Sequence, residues 1–316
     1  MELRNFGRLG QISALTLGGG GIGGVWGTTD RREAVATVHA ALDAGITMLD
    51  LAPGYGIDFE SERVAGEALR TARKDVLITS KVGLPDDDER DFAQRIRRSL
   101  TASLGRLGRD HLDLFVLHSQ IRAATPARET IGWNEYHEAA AEFVRLRDEG
   151  LIRAWGITAI GHPDSVIAAL GDTPRPDAAQ VVVNALDLQA DWYFPGVGPR
   201  SDDIVRAANA GQVQVMGIRA VAAGALTSTI DRTTEPGAPV AADFARAEPF
   251  RKLAAEWGTS PATLAHRYAL SVPGVSTVVL GVKNRAELDE CLAAEAAGPL
   301  PASGVDAIAA LRVAAR

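Results

Sequence analysis

Short apolar runs recur along the chain, and each is followed by a stretch whose apolar positions repeat with a helical period. The runs at 14–18, 46–50, 75–81, 112–118, 152–158, 178–183, 212–217 and 276–281 predict eight buried strands. Helical periodicity fills 30–44, 59–72, 89–105, 134–149, 162–170, 201–210 and 248–271 between them, and 284–296 after the last. In the first of these Val35, Val38 and Leu42 share one face. Asp30 and Asn284 each stand three residues before a glutamate, Glu33 and Glu287, which is the spacing of a capping box.

Strands alternating with helices in this number predict an α/β chain closed as a (β/α)8 TIM barrel rather than a doubly wound open sheet. No linker-like shift in composition divides residues 1–316, so a single domain is expected. The segment "LRNFGRLGQISAL", with Gly10 near its turn, reads as an N-terminal β-hairpin ahead of the first barrel strand. Long connections follow strands four and seven, at 119–133 and 218–247, and both emerge at the C-terminal barrel face, where such folds bind substrate. They read either as lids or as surface loops.

One motif pulls toward a different fold. "LGGGGIGGVWG" contains Gly18, Gly20 and Gly23 at the spacing of a dinucleotide-binding turn, and Asp50 fits the acid that such a turn requires downstream. The next helical pattern begins only near Thr29, several residues too late for that geometry. In a barrel the same glycines lie where the first strand turns into its loop.

Composition narrows the partners. The chain is 46% hydrophobic and 23% charged, as expected of a globular protein with a large core. A formal charge of −7 without any concentrated basic run excludes nucleic acid and anionic membranes as expected partners and favours a small molecule. The opening "MELRNFGRLGQ" lacks the apolar core of a signal peptide, and no run is long enough to span a bilayer, so a cytoplasmic protein is expected. A single cysteine, Cys291, excludes an internal disulfide and a thiolate cluster, and the six histidines show no ligand spacing. No metal site is assigned.

Four chemically capable residues stand at or just beyond the C-terminal ends of strands: Asp50, Tyr55, Lys81 and His118. In a barrel they converge on one mouth. The stretches that hold them, "GITMLDLAPGYGIDFESERVAGEAL", "LITSKVG" and "LDLFVLH", together with "RAWGIT", "AAGALTS" and "GVKNRAELDECL", resemble the aldo-keto reductase superfamily over nearly the whole chain. The resemblance implies an NAD(P)-dependent oxidoreductase interconverting a carbonyl (aldehyde, ketone or sugar) and an alcohol. It assigns Tyr55 as general acid or base, Lys81 as its modulator, Asp50 as the anchor of that lysine and His118 as the group that orients the carbonyl. The residue types suit this work, because a phenol with a pKa of about 10 is a reluctant proton donor until a neighbouring ammonium tunes it.

By the same resemblance an extended nicotinamide dinucleotide crosses the C-terminal face. Gly281, Val282, Lys283 and Asn284 match its backbone and phosphate contacts, Glu290 an acidic contact to adenine, and Gln180 the holder of the carboxamide. Gly20 and Gly21 make room for cofactor and substrate, and Gly224 and Leu226 belong to a further matching stretch assigned to the cofactor. Departures occur at Thr158-Ala159, where the family carries Ser-Asn, and at Ile218-Arg219, where many members stack a tyrosine on the nicotinamide. Ile218 then offers an aliphatic face, and Arg219 either contacts the pyrophosphate or forms a surface ion pair. Glu287 near the adenosine ribose favours NAD unless it serves only as the capping partner of Asn284, whereas Lys283 pulls toward NADP. The family's habit makes NADP the expected cofactor, with NAD as the alternative. Cys291, which replaces a common asparagine, is expected to pack inward with Leu288 and Leu292.

Trp26, Trp133 and Trp192 lie in loops at the expected mouth and read as walls of a substrate pocket, beside Tyr55 and His118, or as packing. The departures also admit a second reading, a cofactor-binding regulatory or channel-associated subunit with little turnover.

Overall fold

Each of the eight apolar runs forms a parallel strand, and together they close a barrel. The computed structural model describes residues 1–72, 75–84, 91–122, 130–189, 197–235 and 237–314. Strands β1 (Leu3–Asn5) and β2 (Gln11–Ser13) form the antiparallel hairpin, with Arg4 opposite Ile12, and Gly10 turns at φ 82°. The barrel begins with β3 (Leu15–Gly18), followed by a single buried turn, α1 (Gly19–Ile22), then α2 (Arg31–Asp43), β4 (Met48–Asp50), α3 (Glu60–Leu69) and β5 (Leu77–Val82). Next come α4 (Phe92–Leu107), β6 (Leu112–Leu117), a parallel pair of two-residue strands β7 (Gln120–Ile121) and β8 (Thr130–Ile131), α5 (Trp133–Asp148) and β9 (Ile152–Thr158). The chain continues through α6 (Pro163–Gly171), β10 (Ala178–Val182), α7 (Ser201–Ala210), β11 (Gln214–Ile218), α8 (Pro239–Arg246), α9 (Glu248–Glu256), α10 (Pro261–Ser271), β12 (Val275–Leu280), α11 (Arg285–Ala296) and α12 (Ala302–Ala314).

The barrel order is β3-β4-β5-β6-β9-β10-β11-β12, with β12 closing on β3 through Val278 opposite Leu15. Apolar side chains fill both sides of its wall. Met48, Leu114, Val116 and Met216 form an inner cluster that Phe6, Leu9 and Ile12 of the hairpin cover from the N-terminal end. A larger cluster packs the strands against the surrounding helices and includes Trp155, Phe115 and Phe143.

Local chemistry sets several boundaries. Asp30 caps α2 by accepting from the amides of Arg32 (2.9 Å) and Glu33 (3.2 Å). The Glu33 carboxylate does not complete a capping box, because it binds Arg285 on α11 instead. The expected helix over 248–271 is two helices. Gly258, at φ 64°, ends the first, and Ser260 caps the second through the Thr263 amide with Pro261 in its first turn. Three further helices were not anticipated: the single turn α1, α8 inside the long 218–247 connection, and α12 after the last expected element. No helix among the described residues is long and apolar enough to cross a membrane.

Candidate active site

The glycine-rich run after β3 is a junction. A Cβ on Gly21 would lie 2.0 Å from the carbonyl oxygen of Val282, and one on Gly23 would lie 2.6 Å from that of Tyr55. A Cβ on Gly56, at φ 91°, would lie 2.0 Å from the Gly23 carbonyl oxygen. The side-chain-free turn α1 thus lets the loop bearing Tyr55 and the loop after β12 meet. This turn starts at Gly19, and the helix expected to begin near Thr29 begins at Arg31, yet the late start is not all that sets this fold and a dinucleotide-binding sheet apart. The closed topology separates them. Backbone bonds then fix the Tyr55 loop: the Tyr55 amide donates to Ala52 (3.1 Å), and its carbonyl accepts from the Ser61 amide (3.1 Å).

Register brings the four strand-end residues together. Asp50 ends β4 between Gly18 and Thr79, and Lys81 lies two residues further along β5. Both are buried. The Lys81 ammonium donates to Asp50 Oδ1 and to the Leu51 carbonyl, each at 2.8 Å, and Gln180 Nε2 donates to the same Asp50 oxygen at 2.6 Å. Lys81 Nζ stands 4.6 Å from the centroid of the Tyr55 ring, and the His118 ring meets Tyr55 edge-on at 5.8 Å.

This packing sets the protonation states. Burial raises the Tyr55 phenol above its ordinary value, with the Lys81 charge opposing it and Asp50 reinforcing it. For Lys81 burial acts downward, but Asp50 and Tyr55 together more than offset it, so the ammonium stays charged. Burial, helped by the Lys81 charge, pushes His118 down to about 3. Near neutral pH the site therefore holds a neutral phenol, a cationic lysine and a neutral imidazole.

A cavity of about 500 Å³ runs from Tyr55 and His118 past Thr158, Gln180, Ile218 and Arg219 to Gly281, Val282, Lys283, Glu287 and Glu290. Gly20, Gly224 and Trp26 also line it. The Trp26 indole packs where a Cβ on Gly20 would intrude, 2.9 Å from its Nε1, and the Arg232 guanidinium stands 5.5 Å from its ring. Thr158 Oγ1 is buried without a partner among the described residues. Arg219 donates to the Gln189 carbonyl at 3.3 Å. Arg219, Ala222 and Ala223 hold φ of 58°, 48° and 54°, a concentration of left-handed residues at the start of the long connection.

Five of the assigned residues that are described do not line the cavity, and one of them, Lys81, is buried behind Tyr55 and Asp50. Gly21 is filled by the Val282 backbone. Asn284 caps α11 through the Glu287 amide (2.9 Å). Leu226 is buried in an apolar cluster with Phe250 and Leu264. Trp133 stacks on Tyr136 at 5.3 Å and meets His137 at 5.0 Å, because it opens α5 and faces the helix layer. Trp192 lies outside the described residues. Glu287 does lie on the cavity, and its carboxylate accepts from the Lys283 amide at 2.9 Å, one residue short of the expected capping box. The Lys283 ammonium pairs with Asp231 and lies 3.3 Å from Glu287. Glu290 accepts from Ser260 and from Thr263 (3.3 Å), and Cys291 is buried 3.6 Å from His266 Nε2. Sequence reasoning missed Asp231, Arg232 and His266, all on the cavity. The polar run "TSTIDRTTE" in the long connection was the available signal for the first two.

The sequence signature described as Aldo/keto reductase family matches residues 14–313. The chain belongs to this family. Among its relatives, L-galactose dehydrogenase of Arabidopsis thaliana is 26% identical over 303 residues, covering 93% of this chain and 88% of that one. Solved aldo-keto reductase structures share the fold. A glycerol dehydrogenase from Gluconobacter oxydans superposes with a TM-score of 0.71 at 24% identity, covering 98% of this chain and 94% of the other. A Klebsiella pneumoniae aldo-keto reductase in complex with NADPH gives 0.68 at 20% identity, covering 98% and 95%.

Proposed function

We propose that this aldo-keto reductase is an oxidoreductase that interconverts a small carbonyl compound and its alcohol, with Tyr55 exchanging the proton. The observation that carries the reading is the phenol of Tyr55 beside a buried ammonium, at the deep end of a long cavity. In reduction, His118 donates a hydrogen bond from its neutral ring to the carbonyl oxygen, and Tyr55 passes its proton to the developing alkoxide. The charge left on Tyr55 is stabilised by Lys81, which Asp50 and the Leu51 carbonyl hold in place. In oxidation the same groups act in reverse, with Tyr55 first giving up its proton.

The donor set along the cavity fits a nicotinamide dinucleotide, which when bound supplies or accepts the hydride. The unpartnered Thr158 hydroxyl and the remaining oxygen of Gln180 suit a carboxamide, Ile218 an apolar ring face, and Arg219 a pyrophosphate. The Klebsiella relative's NADPH supports the same class of cofactor. At the other end Lys283 is already matched by Asp231 and Glu287, two carboxylates against one ammonium. That balance favours a ribose hydroxyl over a 2′-phosphate, so we read the preference as NAD, against the NADP expected from family habit.

Tyr55→Phe tests the mechanism. Its turnover should fall by at least about a thousandfold while the Kd for cofactor, measured by fluorescence titration, stays within about twofold. Normal turnover in this variant would overturn the assignment. A wild type that binds cofactor but turns over no aldehyde, ketone, sugar or alcohol in a broad panel would point instead to a cofactor-binding subunit.

A further inference from the structure

The opposite end of the barrel carries a second hollow, of about 340 Å³, whose lining includes Arg8, Arg147, Arg175 and Asp177. Arg8 lies between β1 and β2, Arg147 in the last turn of α5, and Arg175 and Asp177 just before β10. Three guanidinium groups against one lining carboxylate is an unusual concentration of charge in a chain of net −7.

Asp177 has a structural role that needs only one of those arginines. Its Oδ2 accepts from the Trp155 amide (3.1 Å), and its Oδ1 from Arg8 Nε (2.8 Å), which ties the hairpin to the barrel base. Arg147 is less engaged, 3.7 Å from Asp177 and 3.9 Å from the exposed Asp148. Arg175 pairs with no carboxylate among the described residues. It donates to the carbonyls of Gly211 (3.1 Å) and Gly171 (3.2 Å), neutral acceptors that hold the guanidinium still and leave its charge uncompensated. The rim is strained as well, since Gln212 adopts φ 59°, which is costly for a residue with a side chain. Arg8 and Arg147 share the one lining carboxylate and Arg175 has none among the described residues, so the hollow holds more positive charge than its lining neutralises.

We propose that this basal hollow binds a small dianion, a phosphate ester or a dicarboxylate, between Arg8, Arg147 and Arg175. Arg8 uses only Nε on Asp177, so both of its terminal nitrogens remain for an anionic oxygen, and Arg175 supplies a positioned charge. The volume is more than a bare phosphate fills, which favours an anion carried on a short carbon skeleton.

Isothermal titration of the full-length wild type at low salt with glycerol 3-phosphate, succinate and inorganic phosphate tests this. At least one of the first two should bind at one site per chain with a Kd below about 1 mM, tighter than inorganic phosphate and weakening as salt is added. Whichever of them binds identifies the anion as ester or dicarboxylate. Arg8→Gln and Arg175→Gln should each weaken binding by at least about tenfold. Arg147→Gln, which removes no close hydrogen bond and so spares the fold, should also weaken it. Arg219→Gln, which alters the other cavity, should leave it unchanged. The absence of saturable binding in the wild type overturns the proposal. So does binding that survives the basal substitutions, or that is lost with Arg219→Gln.

Discussion

The deep end of the cavity and its far end are prepared in opposite ways. Around Asp50 the ionised groups already hold their partners: one carboxylate oxygen takes both Lys81 and Gln180, and a backbone carbonyl shares the ammonium. Along β9 and around α11 the polar groups are unmatched or matched to one another. Thr158 has no partner among the described residues, while Lys283, Asp231 and Glu287 neutralise themselves. The physical difference matches what the proposed function asks of each end. A proton-transfer group gains from an environment that costs nothing to reorganise at the moment of reaction. A binding surface gains from groups that a ligand can satisfy or displace, and its selectivity is set by what must be displaced.

The comparison is broken most severely at Lys81. Lys81→Met leaves Asp50 buried without its cation, and stability measured by urea denaturation should fall by about 3–5 kcal/mol. Turnover should fall by roughly a hundredfold or more, because nothing then opposes the burial that raises the Tyr55 phenol. The sign of the pH dependence follows. With the phenol raised, the wild-type oxidation rate should climb with pH through the alkaline range, and Lys81→Met should move that climb further up. Reduction, which needs the protonated phenol, should stay flat through neutrality. His118, held down to about 3, should add no break near its ordinary pKa of about 6.5. Steady-state pH profiles in both directions check this, and a wild-type break near neutrality that vanishes in His118→Gln would contradict the neutral imidazole.

At the far end the effects should be smaller and should fall on selectivity. Glu287→Gln and Asp231→Asn each remove one of the two carboxylates facing Lys283, and each should raise the NADP to NAD affinity ratio by about tenfold. Only Glu287→Gln should also cost stability, about 1 kcal/mol, because that carboxylate accepts from the Lys283 amide at the start of α11. An unchanged ratio in both variants would mean that neither carboxylate faces the ribose. The smallest effect is expected at Thr158. Thr158→Val keeps the shape and deletes a buried, unpartnered hydroxyl, so the ligand-free protein should be no less stable, while cofactor Kd rises by about threefold to tenfold. A loss of stability without a change in Kd would make the hydroxyl structural.

Much of this architecture was legible beforehand. Parallel strands buried on both faces show as unbroken apolar runs, and all eight were visible for that reason. The two-helix split at Gly258 was missed although "GTSP" marked it, since the apolar period carries on across the break. Asp50, Tyr55, Lys81 and His118 were legible because a barrel sends every strand end to the same mouth, so position along the chain already implies proximity.

The assigned residues found pointing away from the cavity share a cause. Gly21, Asn284, Leu226 and Trp133 sit in stretches that match the family, but a local match leaves open which way a side chain points. The sequence by itself determined the alternation of elements and the chemistry at the strand ends, because these depend on residue type and local periodicity. Only the tertiary structure decided that the glycines serve two approaching backbones, and that Lys283 answers to Asp231, 52 residues away. It alone gathered three arginines from distant segments at the barrel base. Such contacts depend on distances between elements remote in the chain, and those are fixed only when the barrel closes.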